Sequence, residues 1–421
     1  AIARRWSARR VAVLCGPGNN GGDGWQAAVQ LKRAGWSVEV FSMVDRSELT
    51  GDAARAAAKW DGAADSLEAC DPAAFGLFID ALFGAGLSRP LEGEPARLAK
   101  ACTARRDQGA VIVSADVPSG LDGDLARAGG PAFTADLTVT FHRLKPAHLL
   151  QPGREQCGDI VLVDIKIPQG WREAAPACAY VNAPELWPDT AKEPAAGDHK
   201  HSRGRLCILS GPAGATGAAR LSGAAGLTGG AGFVTLLCPP GALEEVASSS
   251  RSLVARGFDP GGDFGAILAD HRAGAAVLGP GAGVAEATRA RVLAAGKSGV
   301  PLVLDADALT CFADRPEALF AALKGQAVLT PHGGEFARLF PDLAGRDDLN
   351  KIDITSKAAE RAGAVVVHKG PDTVIAAPDG SVRVNVHASP RLATAGTGDV
   401  LAGVIGAFLG GGAAPFDAAS A

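Results

Sequence analysis

The sequence predicts an α/β protein built as two successive layered units, and three observations carry that prediction. Apolar runs of strand length alternate with helix-length stretches along the whole chain, the pattern of a parallel sheet covered by helices on both faces. Glycine is abundant, at 55 of 421 residues, as short strand-to-helix loops require. Between the two series, residues 169–197 are rich in proline and poor in periodicity, which is the composition of a linker.

In the first unit, residues 1–168, strands are expected at 11–15, 37–43, 76–81, 110–116, 136–141 and 159–164, with helices at 23–34, 51–60 and 94–107. In the second, residues 198–421, strands are expected at 205–210, 232–238, 275–279, 301–305, 326–330, 364–369 and 372–377. Helices there are expected at 216–229, 285–296, 350–362 and 397–410. No internal repeat relates the halves. Apolar residues at 47% against 20% charged suit a globular chain. A net charge of −4 gives no reason to expect nucleic acid or an anionic membrane as partner. No apolar run approaches the ~18 residues of a membrane span. Eight cysteines without a CxxC pair suggest buried thiols and a cytoplasmic protein rather than a zinc site or disulfide framework. The chain begins with Ala1, in what reads as the last turns of a helix, and stops inside an alanine-rich stretch. It is therefore expected to be a piece of a longer protein.

In open α/β sheets, ligands bind beyond the carboxyl ends of the strands, so the residues at those ends are the candidates for chemistry. After the first strand comes Gly16-Pro17-Gly18-Asn19-Asn20-Gly21-Gly22-Asp23-Gly24. Its spacing fits a dinucleotide loop, with glycine amides and a helix start facing an anion. It equally fits a tight turn with Asp23 as helix cap. Two further strand ends carry Asp80, before "ALFGAGLSRPL", and Asp116, before Val117-Pro118-Ser119-Gly120-Leu121-Asp122. Two carboxylates and an asparagine pair converging on one crevice favour a phosphate-bearing ligand.

"GPGNNGGDG", "IDALFGAGLSRPL", "ADVPSGLDGD" and "TVTFHRLKPAH", in that order, resemble the YjeF N-terminal domain, an NAD(P)H-hydrate epimerase with a Rossmann-like sheet. The resemblance implies that Asn19, Asn20, Gly21, Gly22 and Asp23, together with Gly84, Ala85, Gly86, Leu87, Ser88, Arg89 and Pro90, bind a hydrated nicotinamide nucleotide as substrate, not as redox cofactor. It implies a K⁺ ion held by Asn20, Asp80 and Ser119, and Asp116 as the acid/base. A carboxylate among glycines and apolar strands is expected to have a raised pKa. The family's "DIGIP" reads "DIKIP" here, with Lys166 in place of glycine. The family also implies a homo-oligomer.

In the second unit the densest motif is "ATAGTGDVLAGVIGAFLGGG". Backbone amides around Gly398 can neutralise a transferring phosphoryl group, and Asp399 in the first helical turn can accept a hydroxyl proton. An acidic helix start with no ligand is the plain alternative. Lys369 in "HKGPDT" can pair with phosphate, His332 is placed to line a cleft, and Asp305 and Asp307 are candidates to hold Mg²⁺ through water. With "HKHSRGRLCILSG" and "ATGAARLSGAAGLTGGAGFVTL", these motifs resemble the YjeF C-terminal domain, the ribokinase-like ADP-dependent NAD(P)H-hydrate dehydratase. The resemblance implies that Ala218, Gly283 and His332 contact the hydrate. It implies that Lys369, Gly370, Pro371, Asp372 and Thr373 bind ADP, with Gly398 beside its phosphate, and that Asp399 is the catalytic carboxylate. His201 stands where that family often has tyrosine. Together the two resemblances imply a bifunctional enzyme that equilibrates the hydrate epimers and dehydrates the S form with ADP, giving AMP and phosphate. A ribokinase-like small-molecule kinase fused to a nucleotide-binding module is the alternative.

Overall fold

The computed structural model of the chain describes residues 1–168, 170, 179–191, 193–323 and 325–421. Most of the expected strands form within a residue or two of the predicted limits. They divide between two compact units, 1–176 and 177–421.

The first unit holds seven strands: β1 (Arg10–Cys15), β2 (Ser37–Ser42), β3 (Ala64–Ser66), β4 (Leu77–Ala81), β5 (Val111–Ala115), β6 (Leu137–Phe141) and β7 (Asp159–Val163). They form one sheet, in the order β3-β2-β1-β4-β5-β6-β7, with every pairing parallel. Central β1 shows why. Its side chains alternate, Val11, Val13 and Cys15 entering one core with Trp25 and Trp36, while Ala12 and Leu14 enter the other with Phe78 and Leu98. A strand apolar on both faces is stable only with a layer on each side. The strand order reverses direction between β1 and β4, opening a crevice at their carboxyl ends.

The second unit contains β8 (Tyr180–Val181), β9 (Arg205–Leu209), β10 (Phe233–Cys238), β11 (Val254–Gly257), β12 (Ala275–Leu278), β13 (Leu302–Leu304), β14 (Ala327–Leu329), β15 (Val365–His368), β16 (Val374–Ala376) and β17 (Val382–Val384). They form a ten-stranded sheet in the order β11-β10-β9-β12-β13-β14-β15-β16-β17-β8. It is parallel except where β15, β16 and β17 form an antiparallel meander.

Three differences from the sequence expectation have clear causes. The first long helix is Asn19–Arg33, with Gly18 at its N-cap and no side-chain cap. Both asparagines thus lie in the first turn, and Asp23, expected at the start of the helix, lies inside it. A methyl at Gly21 would stand 1.9 Å from the carbonyl oxygen of Gly16, so glycine there lets the helix start press onto the loop. The expected linker is not all linker. Of its residues, 169, 171–178 and 192 lie outside the described ones, but Tyr180–Val181 pair with β17, and the Asn182 side chain donates to the Ser420 carbonyl at 2.6 Å. Strands β3, β11 and β17 have three or four residues each, too short for a period to register. The seven described cysteines are free and buried, and no helix among the described residues is long and apolar enough to cross a membrane.

Lys166 has φ = 57°, in the left-handed region that glycine occupies without penalty. Its amide donates to Asp164 Oδ1 at 2.8 Å, which keeps the turn closed. Lys166→Gly is expected to stabilise the first unit by about 1 kcal/mol, read as a higher urea midpoint.

Candidate functional site

In the first unit, the loops that follow β1, β4, β5 and β6 converge around Asp116. This residue continues directly from β5 with φ = 63°, a conformation rare outside glycine and asparagine, and it turns the carboxylate into the crevice. Asp116 Oδ1 accepts from Lys145 Nζ at 2.5 Å and from Thr140 Oγ1 at 2.9 Å. Oδ2 accepts from the Ala85 amide at 3.2 Å. Burial alone would push this carboxyl up, but the Lys145 ammonium, the Ala85 amide and Thr140 outweigh it and hold it below the ordinary range. The raised pKa expected for Asp116 is therefore corrected: an ion pair that the sequence did not announce reverses the sign.

His148 fixes this geometry from beneath. It is buried, and desolvation lowers its pKa, so the ring is neutral. Its Nδ1 accepts from the Lys145 amide at 3.0 Å, which leaves Nε2 as the N–H that donates to the Asp116 carbonyl at 2.9 Å. One imidazole thereby ties together the backbones of both members of the ion pair.

Beside this pair, Asp80 is fully buried. Its oxygens accept from Ser119 Oγ at 2.5 Å, the Ser119 amide at 2.8 Å and Ser114 Oγ at 2.8 Å. Burial is the larger effect, and these neutral donors only partly oppose it, so the carboxyl is pushed up to about 6. Ser119 Oγ also lies 3.1 Å from the Phe83 carbonyl. Asn20 faces Gly84 together with Asp116, and its Nδ2 is buried with no partner among the described residues. A buried carboxylate ringed by serine, carbonyl and amide groups, with no ammonium on it, fits a large monovalent cation that takes oxygen ligands. Asp23 keeps an open surface, yet surrounding protein and then the nearby Asp116 charge push it up to about 6.

In the second unit the carboxyl ends of β12, β13, β14 and β15 meet the start of helix Thr397–Gly410. Buried Asp305 accepts from Lys369 Nζ at 2.7 Å and Thr330 Oγ1 at 2.8 Å. A methyl on Gly398 would lie 3.4 Å from Lys369 Nζ and 3.5 Å from Asp305 Oδ2. The first turn of this helix therefore lies against that ammonium. Burial first, then the Asp305 charge, raise the Asp399 carboxyl, with Lys369 opposing. His332 pairs by its backbone with Lys369, and its Nδ1 accepts from the Gly334 amide at 3.0 Å, so the ring caps helix Gly333–Leu339 while it borders the cleft. Asp307 Oδ2 accepts from the Gly283 amide at 2.8 Å. A methyl at Gly281 would reach Ala218 at 3.4 Å, which brings the 215–218 and 279–283 loops together.

Asp305 and Asp307, the candidates to hold Mg²⁺ through water, each also accept from a protein donor, and the described residues contain no cluster of three or more metal-ligating His, Cys, Asp or Glu side chains. Asp372, named among the ADP-binding residues, is buried and paired with Lys351 at 2.6 Å, and Thr373 closes the 369–373 turn by donating to the Gly370 carbonyl at 2.8 Å.

Comparison with known proteins follows the same division into two units. The family described as NAD(P)H-hydrate dehydratase matches residues 206–421, and the YjeF-related protein N-terminus matches residues 1–147. The bifunctional NAD(P)H-hydrate repair enzyme of Thermofilum pendens is 33% identical over 95% of this chain and 78% of that protein. The enzyme of the same name from Escherichia coli is 31% identical over 98% of this chain and 79% of that protein. The chain belongs to the family of bifunctional NAD(P)H-hydrate repair enzymes. Among solved structures, an ADP/ATP-dependent NAD(P)H-hydrate dehydratase from Bacillus subtilis is 26% identical, covering 57% of this chain and 85% of that one, with a TM-score of 0.49.

Within this repair-enzyme fold, the structure gathers Asn20, Asp80, Gly84, Ala85, Asp116 and Ser119 at one crevice, and Asp305, His332, Lys369, Gly398 and Asp399 at another. Sequence reasoning passed over Lys145, Thr140 and His148 in the first, and Thr330 and Lys351 in the second. The signal for Lys145 and His148 lay in "HRLKPAH", a polar stretch immediately after a strand end. Replacing Lys145 by Met leaves burial as the dominant influence on Asp116. Its carboxyl is then expected to titrate above the ordinary 3.8 rather than below it, followed by carbon NMR of that side chain.

Proposed function

We propose that the first unit interconverts the epimers of hydrated NADH or NADPH at Asp116, and that the second dehydrates one epimer at Asp399 with ADP. The observation that carries this reading is the opposite electrostatic tuning of the two aspartates at two sheet mouths.

The hydrate bears a hydroxyl on the carbon next to the ring nitrogen, so when that hydroxyl loses its proton the oxygen can become an aldehyde carbonyl as the C–N bond breaks, the bonding pair passing to the ring nitrogen and into its conjugation with the carboxamide. Asp116, kept ionised by Lys145, enters as base. It accepts the hydroxyl proton as that carbon loses its configuration and returns it when the opposite face closes. Glycine-lined amides at the start of helix Asn19–Arg33 receive the pyrophosphate. Asn20, Asp80 and Ser119 would hold K⁺, whose charge would offset buried Asp80 and steady the loop that carries Gly84.

In the second unit the obstacle is that hydroxide leaves poorly. Asp399, its carboxyl raised by burial and the Asp305 charge, takes the proton of the substrate hydroxyl. The oxygen attacks the β-phosphorus of ADP, releasing AMP, and the ring nitrogen expels phosphate from the ester. Loss of a proton from the neighbouring carbon restores the dihydropyridine. Lys369 and the amides around Gly398 meet the charge of the transferring group. Mg²⁺ carried on the nucleotide phosphates would neutralise their charge. Ala218, Gly283 and His332 border the hydrate.

Prepared hydrate epimers test the division of labour. Asp399→Asn is expected to lose dehydration by ~10²–10⁴-fold while epimerisation persists, and Asp116→Asn the converse. Loss of both activities in either variant refutes the assignment. The raised Asp399 carboxyl places the acid limb of dehydration above 3.8, since the base form is lost as pH falls through its pKa.

Cation binding has its own readout. Asp80, buried without a counter-charge, is an anion only above about 6, where that charge is uncompensated. At pH 7.5, K⁺ is therefore expected to raise the melting temperature over an equal concentration of tetramethylammonium. The gain should shrink below pH 6 as Asp80 protonates and shrink at both pH values in Asp80→Asn. Equal melting in the two salts at pH 7.5 rules K⁺ out.

A further inference from the structure

The turn between β15 and β16, residues 369–373, carries a carboxylate where an anion is expected to bind. Asp372 points inward, with only 4% of the residue exposed, while Pro371 beside it is exposed. A bare carboxylate under an ADP-binding turn would oppose the nucleotide's own charge, and the low polarity of a buried site would strengthen that repulsion. Lys351 meets it, with Nζ 2.6 Å from Asp372 Oδ1. A methyl at Gly370 would stand 2.7 Å from that nitrogen and 3.2 Å from Asp372 Oδ1. The ion pair therefore lies directly against the backbone of the turn.

Lys351 opens helix Lys351–Ala362, the end of a helix at which a cation is disfavoured. Helix stability does not account for a lysine there. Its place is fixed from β15. Thr355 Oγ1 gives its one proton to the Lys351 carbonyl at 2.6 Å and so accepts from His368 Nδ1 at 3.2 Å. The His368 ring stacks on Phe336, 4.0 Å between centroids. Burial first, and then the Lys351 charge, push His368 down to about 3, so the ring is neutral and adds no charge beneath the turn. Lys369, the turn's own ammonium, pairs with Asp305.

We infer that Lys351 is a positioning residue for ADP that acts through Asp372: it draws the carboxylate inward and cancels its charge, so that an anionic nucleotide can settle on the turn. The inference rests on the reading of residues 369–373 as the ADP turn. Cancelling a charge differs from bracing a loop. A brace is lost with either partner, whereas a charge effect changes sign between them.

Steady-state dehydration of the prepared hydrate by the intact chain, with ADP and hydrate varied in turn, separates the two. Lys351→Met is expected to raise KM for ADP about tenfold and to leave KM for the hydrate within about twofold. Asp372→Asn keeps the shape of the side chain and leaves the ammonium uncompensated, so it is expected to lower KM for ADP about threefold. Lys351→Met combined with Asp372→Asn, neutral at both positions, is expected to return KM for ADP to within about threefold of wild type. Asp372→Asn and the double variant decide the matter if Lys351→Met alone does not fold. An unchanged KM for ADP in Lys351→Met, no fall in Asp372→Asn, or equal rises for ADP and hydrate overturn the inference and leave the ADP turn in place. Lys369→Met tests that turn: wild-type ADP kinetics in this variant overturn the reading, and the role of Lys351 with it.

Discussion

An ammonium clamped onto a buried carboxylate at the carboxyl edge of a parallel sheet is the constraint on which both crevices depend. Neither charge could be withdrawn from water alone at tolerable cost. Paired, they persist, and each pair fixes the loop that supplies its lysine. In the first unit the clamp acts on the reactive group: Lys145 keeps Asp116 ionised. In the second it acts beside it: Asp305 holds Lys369, and its charge helps to raise Asp399. The same two residue types therefore shift one reactive carboxyl down and leave the other shifted up.

The backbone bends to permit this. Asp116, His142 and Ala306 all take positive φ, and each immediately follows or lies close to a strand end that feeds a crevice. Such conformations cost about 1–3 kcal/mol each and survive where the surroundings over-determine them. At Asp116 the surroundings are visible: its amide donates to the Val139 carbonyl at 2.8 Å, and the His148 ring holds its carbonyl. The neutral imidazole is thus structural, although a histidine three residues from a lysine at a site invites a catalytic reading.

Much of this was legible in the sequence because it is written in period and punctuation. Val11 to Cys15 is apolar on both faces, which only a covered parallel strand tolerates, and the aspartates at 80 and 116 stand where such strands stop. What was not legible depends on contacts between residues far apart in the chain. Lys145 lies 29 positions from Asp116, and nothing local to either aligns an ammonium with a carboxylate. That contact reversed the expected direction of the Asp116 shift. Likewise the partners of the strand-end Asp305 and Asp307 come from afar: Lys369, 64 positions from Asp305, donates to one and the Gly283 loop to the other. The two-residue β8 has no period at all and is visible only through its partner.

That short strand has a practical meaning for anyone dividing the chain. β8 caps the outer edge of β17, and Asn182 ties the same segment to Ser420 near the other end of the second unit. A fragment cut where the dehydratase family match begins, at Leu206, would strip this cap and bare a row of unpaired amides and carbonyls, a template for self-association. Trimming for expression should instead begin upstream of Tyr180, so that the excised piece carries its own seal.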